Sequence, residues 1–146
     1  MGASITFALE LLRPGFYSRS CPDAEAIVRD VVRKAIAKEP RSVASVMRFQ
    51  FHDCFVNDCD GSVLLDDTPQ MLGEKLSLSN INSLRSFEVV DRVKEALEKA
   101  CPGTVSFADI IIMASRDAVM LVNQVMRESG FEKGVEMDGK ESKSHV

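Results

Sequence analysis

The chain has 146 residues, of which 45% are apolar, and a formal net charge of −4 at pH 7. These values are typical of one compact domain and exclude a disordered or fibrous chain. No basic block and no run of about 18 apolar residues occurs, which argues against nucleic-acid binding and against a membrane span.

The N-terminal segment resembles part of a secretory signal. It contains an apolar run from Ile5 to Leu12, but Glu10 interrupts this run and no basic residues precede it. We interpret residues 1–13 as an incomplete remnant of a signal-like segment and place a helical domain at 14–126.

Apolar residues at three-and-four spacing predict two amphipathic helices in the first part of this domain. The first helix follows a candidate N-cap at Asp23 and ends before Pro40. The second covers 42–54 or begins one residue earlier. It carries Arg48 and His52 on one face, because residues four apart are neighbours on a helix surface.

A long loop and two further helices are predicted after residue 54. In 55–84 the periodicity disappears and Asp, Asn, Ser, Gly and Pro accumulate, which indicates a long ordered loop. A third helix is predicted from about Ser86 to Ala100, where a C-P-G string stops it. A fourth begins with Ser106 and Asp109 as a capping box. The predicted inward positions of the fourth helix are Ile111, Ile112, Ser115, Val119 and Val122.

No segment has the pattern of a strand, so the predicted fold class is mainly α. Residues 127–146 are rich in charge and glycine and have almost no apolar period. We interpret them as a divergent polar tail that is disordered.

The four cysteines, Cys21, Cys54, Cys59 and Cys101, are compatible with two disulfides, a metal site or four buried thiols. No C-x-x-C pair occurs, and the spacing from Cys54 to Cys59 does not fit the usual zinc knuckles. Disulfides are therefore favoured, which places folding in an oxidising compartment.

Arg48 and His52 are the first candidates for chemistry. Alone, an Arg and a His one turn apart on a helix are more often surface or core residues than a catalytic pair. The surrounding string, R-F-Q-F-H-D-C-F-V-N-D-C-D-G-S-V-L-L-D from Arg48 to Asp66, adds carboxylates, two cysteines and a Gly-Ser turn. This combination is too particular for an ordinary helix end.

The string resembles the distal-site signature of the plant secretory (class III) haem peroxidases. Further blocks occur in the order of that family: G-F-Y-S-R-S-C-P at 15–22, E-K at 74–75, N-I-N-S at 80–83, F-E-V-V-D at 87–91 and A-C-P-G-T-V-S-F-A-D-I at 100–110. The resemblance extends over about residues 13–120. It implies the distal half of the all-α haem peroxidase fold, with a long calcium-binding loop.

The resemblance also implies roles for five residues around a haem b cofactor. His52 would be the base that moves the proton of hydrogen peroxide, and Arg48 would stabilise the charge on the departing oxygen. Asn80 would accept a hydrogen bond from the other imidazole nitrogen, with Glu74 behind it. Phe51 would pack over the haem edge.

A calcium ion is the second cofactor that the resemblance implies. The family pattern gives it side-chain oxygens of Asp53, Asp60 and Ser62 and the carbonyl of Val56, which suit a hard cation. Asp58 stands where the family usually has glycine, so it would add a carboxylate to the site or strain the backbone there.

An EF-hand loop is a competing interpretation of the same segment, because Asp58, Asp60, Gly61 and Asp67 have suitable spacing. The first position of such a loop would be Val56, which cannot supply a side-chain ligand. The EF-hand interpretation therefore fails.

By the same matching, Cys54 would pair with Cys59 across the calcium loop, and Cys21 with Cys101 would join the first helix to the end of the third. Phe107 stands where the family has a further cysteine.

Beyond about Met120 the family pattern is no longer followed. The second helical half of the family, with its proximal histidine, has no counterpart in this sequence, and His145 is not patterned as a substitute iron ligand. We therefore expect a truncated chain with weak haem retention, impaired activity and exposed apolar faces through which it associates with itself.

The sequence thus predicts a secreted haem peroxidase family member that reduces hydrogen peroxide and oxidises small phenolic donors. The alternative is a calcium-binding, disulfide-stapled helical fragment without turnover.

Overall fold

The computed structural model describes residues 15–55 and 59–129. Within these ranges the only β-pairing is an isolated bridge between Thr68 and Met71. The prediction of a mainly α fold is confirmed. The helices are α1 (Ala24–Lys38), α2 (Ser42–Cys54), α3 (Phe87–Ala100) and α4 (Phe107–Glu128), with single 3-10 turns at Phe16–Ser18 and Ser62–Leu64.

Helix α4 is the central element of the packing. It lies along both α1 and α2, and α1 also packs against α3. The fully buried side chains at these contacts are mostly β-branched or aromatic, which gives the core its stiffness. They are Val28, Val32, Val46, Phe49, Val89, Val90, Val93, Leu97, Ile110 and Ile111.

The helix starts agree with the sequence patterns, although only one of the two predicted caps is made. The Ser106 hydroxyl accepts a hydrogen bond from the Asp109 backbone N–H at 3.1 Å and donates to the Asp109 carboxylate at 2.6 Å. Asp23 occupies the N-cap position of α1, but its side chain makes no capping hydrogen bond. The Asp109 carboxylate also accepts from the Tyr17 hydroxyl. Burial, followed by this hydrogen bond, raises the pKa of Tyr17 to about 12.

Two of the predicted inward positions of α4 are wrong. Ile112 and Val119 are 41% and 39% exposed. The buried stripe of α4 is instead formed by Ile110, Ile111, Ala114, Asp117 and Ala118. Three consecutive isoleucines cannot all point to one side of a helix, and the sequence offered no reason to choose Asp117, a carboxylate, as a core position.

Asp117 is fully buried because two arginines accompany it. Its Oδ1 atom lies 3.0 Å from the Arg116 guanidinium and 3.4 Å from that of Arg29 on α1. Arg116 also pairs with Glu25 of α1 at 3.0 Å. The pairs with Arg29 and Glu25 join α4 to α1. The arginines also make the buried charge of Asp117 tolerable, because a buried charge needs oppositely charged partners.

Both implied disulfides are present. Cys21 is joined to Cys101, which links the segment before α1 to the end of α3 over a sequence separation of 80 residues. Cys54 is joined to Cys59 over a separation of 5 residues. The predicted pairing is confirmed.

The predicted signal remnant lies outside the described residues, as does the polar tail from residue 130 onwards. Helix α4 continues to Glu128, so the first two positions of the predicted tail are helical. Within the described part of the chain, no helix combines the length and apolar character needed to cross a bilayer.

Candidate active site on helix α2

Helix α2 carries its polar candidates beside a buried apolar face. Val46, Phe49 and Asp53 are buried at helical spacing and face the core. Arg48 and His52 stand on the neighbouring surface, where Arg48 is exposed and His52 is partly buried. Packing of one face against α4 therefore leaves both side chains directed out of the core.

A hydrogen bond joins His52 to the long loop. The His52 Nδ1 atom lies 2.5 Å from Oδ1 of Asn80, and the Asn80 Nδ2 atom donates to the backbone carbonyl of Glu74 at 2.8 Å. A carbonyl can only accept, so the Glu74 carbonyl fixes which end of the Asn80 amide faces the imidazole. The Asn80 oxygen must then accept from a protonated Nδ1, and a neutral His52 keeps its lone pair on Nε2.

Backbone turns in the loop hold Asn80 in this position. The Asn80 N–H donates to the carbonyl of Ser77 at 2.9 Å, and the Leu84 N–H donates to the carbonyl of Asn80 at 2.9 Å. Asn80 is only 5% exposed. The contribution of Glu74 to this contact comes from its backbone, not from its carboxylate.

A cleft of about 440 Å³ opens next to Arg48. Arg41 and Arg85 also line it, together with Asn82 and Ser83. The Ser83 hydroxyl is buried and has no hydrogen-bond partner among the described residues. Among the described residues, no carboxylate forms an ion pair with the guanidinium groups of Arg41, Arg48 and Arg85. A cleft with three cations and an unused hydroxyl is suited to an anionic group such as a carboxylate.

Two exposed aromatic rings lie beside His52. Phe51 and Phe55 are 54% and 74% exposed, and their rings stack with centroids 4.4 Å apart. The Phe51 ring also lies edge-on to the imidazole, at 5.7 Å between centroids. Large exposed aromatics next to polar groups mark a surface that suits a flat apolar ligand.

The carboxylate of Asp53 lies on the core side of the same helix and is only 4% exposed. It accepts hydrogen bonds from the Gly61 N–H at 2.9 and 3.2 Å. Burial raises the pKa of Asp53, and the negative charge of Asp60 raises it further. A cation at this place would offset both effects.

Of the other expected calcium ligands, the structure describes Asp60 and Ser62. Asp60 accepts from the Ser62 N–H at 2.9 Å, so both residues lie in the turn that follows Gly61. Val56 and Asp58 lie outside the described residues. In the ranges that are described, no three side chains of His, Cys, Asp or Glu come together as a metal site. The donor chemistry of Asp53, Asp60 and Ser62 fits a hard cation such as calcium.

Gly61 allows the close approach of this loop to α4. Its φ is +78°, and a Cβ atom there would lie 3.2 Å from the backbone nitrogen of Ala108. A side chain at this position would meet both a strained backbone and a backbone neighbour. Glycine is therefore required where the Gly61 N–H reaches Asp53.

Sequence reasoning missed the arginine-lined cleft. Arg41 precedes Arg48 by seven residues, and this spacing alone predicts that both lie on the same side of α2. Arg85 and Ser83 reach the cleft from the end of the long loop. No local pattern signals that approach, because it depends on the path of the whole loop.

Comparison with known proteins gives consistent matches. A model of the family described as peroxidase matches residues 28–144. Peroxidase 17 of Arabidopsis thaliana is 78% identical over 112 residues, which cover 77% of this chain and 34% of that protein. Peroxidase 67 of the same plant is 56% identical over 111 residues, covering 76% and 35%. Peroxidase RIP1 of Medicago truncatula is 55% identical over 113 residues, covering 77% and 35%. The chain thus spans about a third of the length of these relatives.

Proposed function

This chain belongs to the peroxidase family, and from that premise we propose that it supplies the peroxide-side residues of a haem peroxidase. The substrates would be hydrogen peroxide and small phenolic donors. The observation that carries the proposal is the hydrogen bond between His52 and Asn80, which leaves Nε2 of the imidazole free to accept a proton.

His52 would act as general base and then as general acid. Its Nε2 atom takes a proton from one oxygen of hydrogen peroxide and returns it to the other oxygen as the O–O bond breaks, so that water departs. Asn80 supports this role by holding Nδ1–H, and the Glu74 carbonyl supports it by orienting Asn80.

Arg48 would stabilise the negative charge that develops on the departing oxygen. Arginine carries a positive charge, and Arg48 stands four residues before His52 on the same helix. No described carboxylate neutralises it, so its charge is available to a bound substrate.

The proposed cofactor, haem, would supply the two electrons for cleavage of the O–O bond and would take up the oxygen atom that does not leave as water. The residues present fit such a group. Arg41, Arg85 and the Ser83 hydroxyl, which has no hydrogen-bond partner among the described residues, suit its carboxylates, and exposed Phe51 suits its flat face. Of the residues described here, these would hold the group, and His52 would act on the peroxide and not as its ligand.

A haem titration of the full chain, followed by the Soret band, tests this assignment. Arg85→Ala is expected to weaken haem binding about tenfold, because it removes a cation that hydrogen-bonds a carboxylate. Arg33→Ala is the matched control, since Arg33 is an exposed arginine paired with Asp30 on α1. A peroxide-dependent assay with a phenolic donor then follows on the loaded protein.

Two outcomes would contradict the proposal. One is a chain that gives no Soret shift at any haem concentration, and the other is equal affinity in Arg85→Ala and Arg33→Ala together with no peroxide-dependent oxidation. Calcium binding without turnover would instead favour the alternative, a calcium-binding helical fragment. Burial of Asp53 beside Asp60 is the observation that favours this second candidate.

We propose further that the chain is secreted, in keeping with its two disulfides, which form in oxidising compartments. Association through exposed apolar side chains such as Phe55 and Leu78 also stays a prediction, which size-exclusion chromatography would test.

A further inference from the structure

We propose that Lys75 is a positioning residue, which holds the Glu74 carbonyl in the orientation that keeps Asn80 hydrogen-bonded to His52. The inference rests on the proposed function for its chemical meaning, but the geometry that carries it involves only residues of the folded chain.

The Lys75 side chain is fixed at two points. Its Nζ atom lies 2.6 Å from Oδ1 of Asp66 and 4.5 Å from the ring centroid of Phe87. The Lys75 side chain is only 27% exposed, whereas Asp66 is 83% exposed. An exposed ion pair alone contributes little, so the contact with the aromatic face is the more important anchor.

Phe87 connects this anchor to helix α2. Its ring packs edge-on against Phe49, with centroids 4.8 Å apart, and Phe49 is fully buried in α2. Lys75 therefore anchors the loop to an aromatic pair, and one member of this pair, Phe49, belongs to the helix that carries His52. The helix that carries His52 and the loop that carries Asn80 are therefore both held by the same well-packed aromatic pair.

Lys75 is joined to the Glu74 carbonyl by the peptide bond itself. The carbonyl of Glu74 belongs to the peptide unit between Glu74 and Lys75, and this unit is planar. Anchoring the Lys75 side chain therefore restricts the movement of its Cα atom, which lies in the same peptide plane as the carbonyl that accepts from the Asn80 amide at 2.8 Å. The same carbonyl also accepts from the Ser77 N–H at 3.1 Å, so it receives two hydrogen bonds within this turn.

If the Glu74 carbonyl turned away, the Asn80 amide would lose the hydrogen bond that directs its oxygen toward His52. An Asn amide can rotate and present its NH₂ group, which cannot accept a hydrogen bond from Nδ1–H. The other group near the Asn80 oxygen is the Ser79 hydroxyl at 3.3 Å, a long contact from an exposed side chain. It does not fix the amide as the Glu74 carbonyl does.

The chain offers a matched control in Lys94. Its Nζ atom lies 2.6 Å from Glu98 and 5.1 Å from the ring centroid of Phe107, and it donates to the Val105 carbonyl at 2.7 Å. The Lys94 side chain is 23% exposed. Lys94 thus makes the same kinds of contact as Lys75, but at the α3–α4 end of the fold.

The experiment measures solvent exchange of the His52 imidazole Nδ1–H by NMR in the full chain, without added haem. Lys75→Met is expected to speed this exchange about fivefold, from the loss of a cation–π contact and an ion pair. Lys75→Arg should restore most of the protection, because arginine also pairs with a carboxylate and stacks on a ring. Lys94→Met should leave exchange unchanged, and thermal melts of all variants record any general loss of stability.

Equal exchange in Lys75→Met and Lys94→Met, at matched losses of stability, would overturn the inference. So would fast exchange in Lys75→Arg equal to that of Lys75→Met. The NMR readout needs no haem, so it stands apart from the proposed function. Failure of the haem titration would remove the peroxidase proposal while the exchange data still decided the role of Lys75.

Discussion

His52→Ala is expected to slow the reaction of the haem-loaded chain with hydrogen peroxide by about 10²- to 10⁴-fold, the usual contribution of a positioned acid–base group. The physical reason is that the O–O bond must otherwise break with no group to move a proton from one oxygen to the other. Stopped-flow absorbance at several peroxide concentrations gives the second-order rate constant directly.

The control for this prediction is Gln50→Ala on the same helix. Gln50 is partly buried and contacts the sulfur of Cys54 at 3.2 Å, so it tests whether any change on α2 slows the reaction. Haem titrations of both variants separate binding from chemistry. If His52→Ala bound haem normally and reacted at the wild-type rate, the assignment of His52 as the base would be wrong.

Removal of the Cys21–Cys101 disulfide is expected to have the largest effect on stability. This bond closes a loop of 80 residues in the unfolded chain. Loop-closure entropy then predicts that Cys21→Ala with Cys101→Ala lowers the free energy of unfolding by about 4 kcal/mol. Because a domain of this size is stable by only about 5–15 kcal/mol, a loss of this size would remove a large part of its stability.

The Cys54–Cys59 bond provides the comparison, because it closes a separation of only 5 residues. The same argument predicts a loss of about 2 kcal/mol for Cys54→Ala with Cys59→Ala. Urea unfolding of the two double variants measures both values. A greater loss from the short bond than from the long one would contradict the entropic account.

The helices were predictable because their signals are local. Apolar spacing and the residues at the ends, such as Pro40 and the Ser106 cap, are all present in the chain within one or two turns. The wrong predictions concern α4, because its apolar spacing places Ile112 in the core and leaves the buried Asp117 out. Which face of an apolar helix is buried depends on neighbours that are distant in sequence, here the arginines of α1 and α4.

The candidate site divides in the same way. Arg48 and His52 follow from helix periodicity and the surrounding string, and the proposed partner Asn80 follows from a family resemblance. The contribution of the Glu74 carbonyl could not be predicted, because a backbone group leaves no trace in the residue type. The arginine cleft and the anchor at Lys75 also depend on the three-dimensional path of the long loop.

The most direct measurement of the central claim is the tautomer of His52, read from the ¹⁵N chemical shifts of its two ring nitrogens in the full chain at a pH where the imidazole is neutral. The account predicts a proton on Nδ1, donated to Asn80, and a lone pair on Nε2. A proton found on Nε2 instead would place the lone pair on Nδ1, which faces Asn80, so Nε2 could not accept a proton from peroxide, and this would contradict the account.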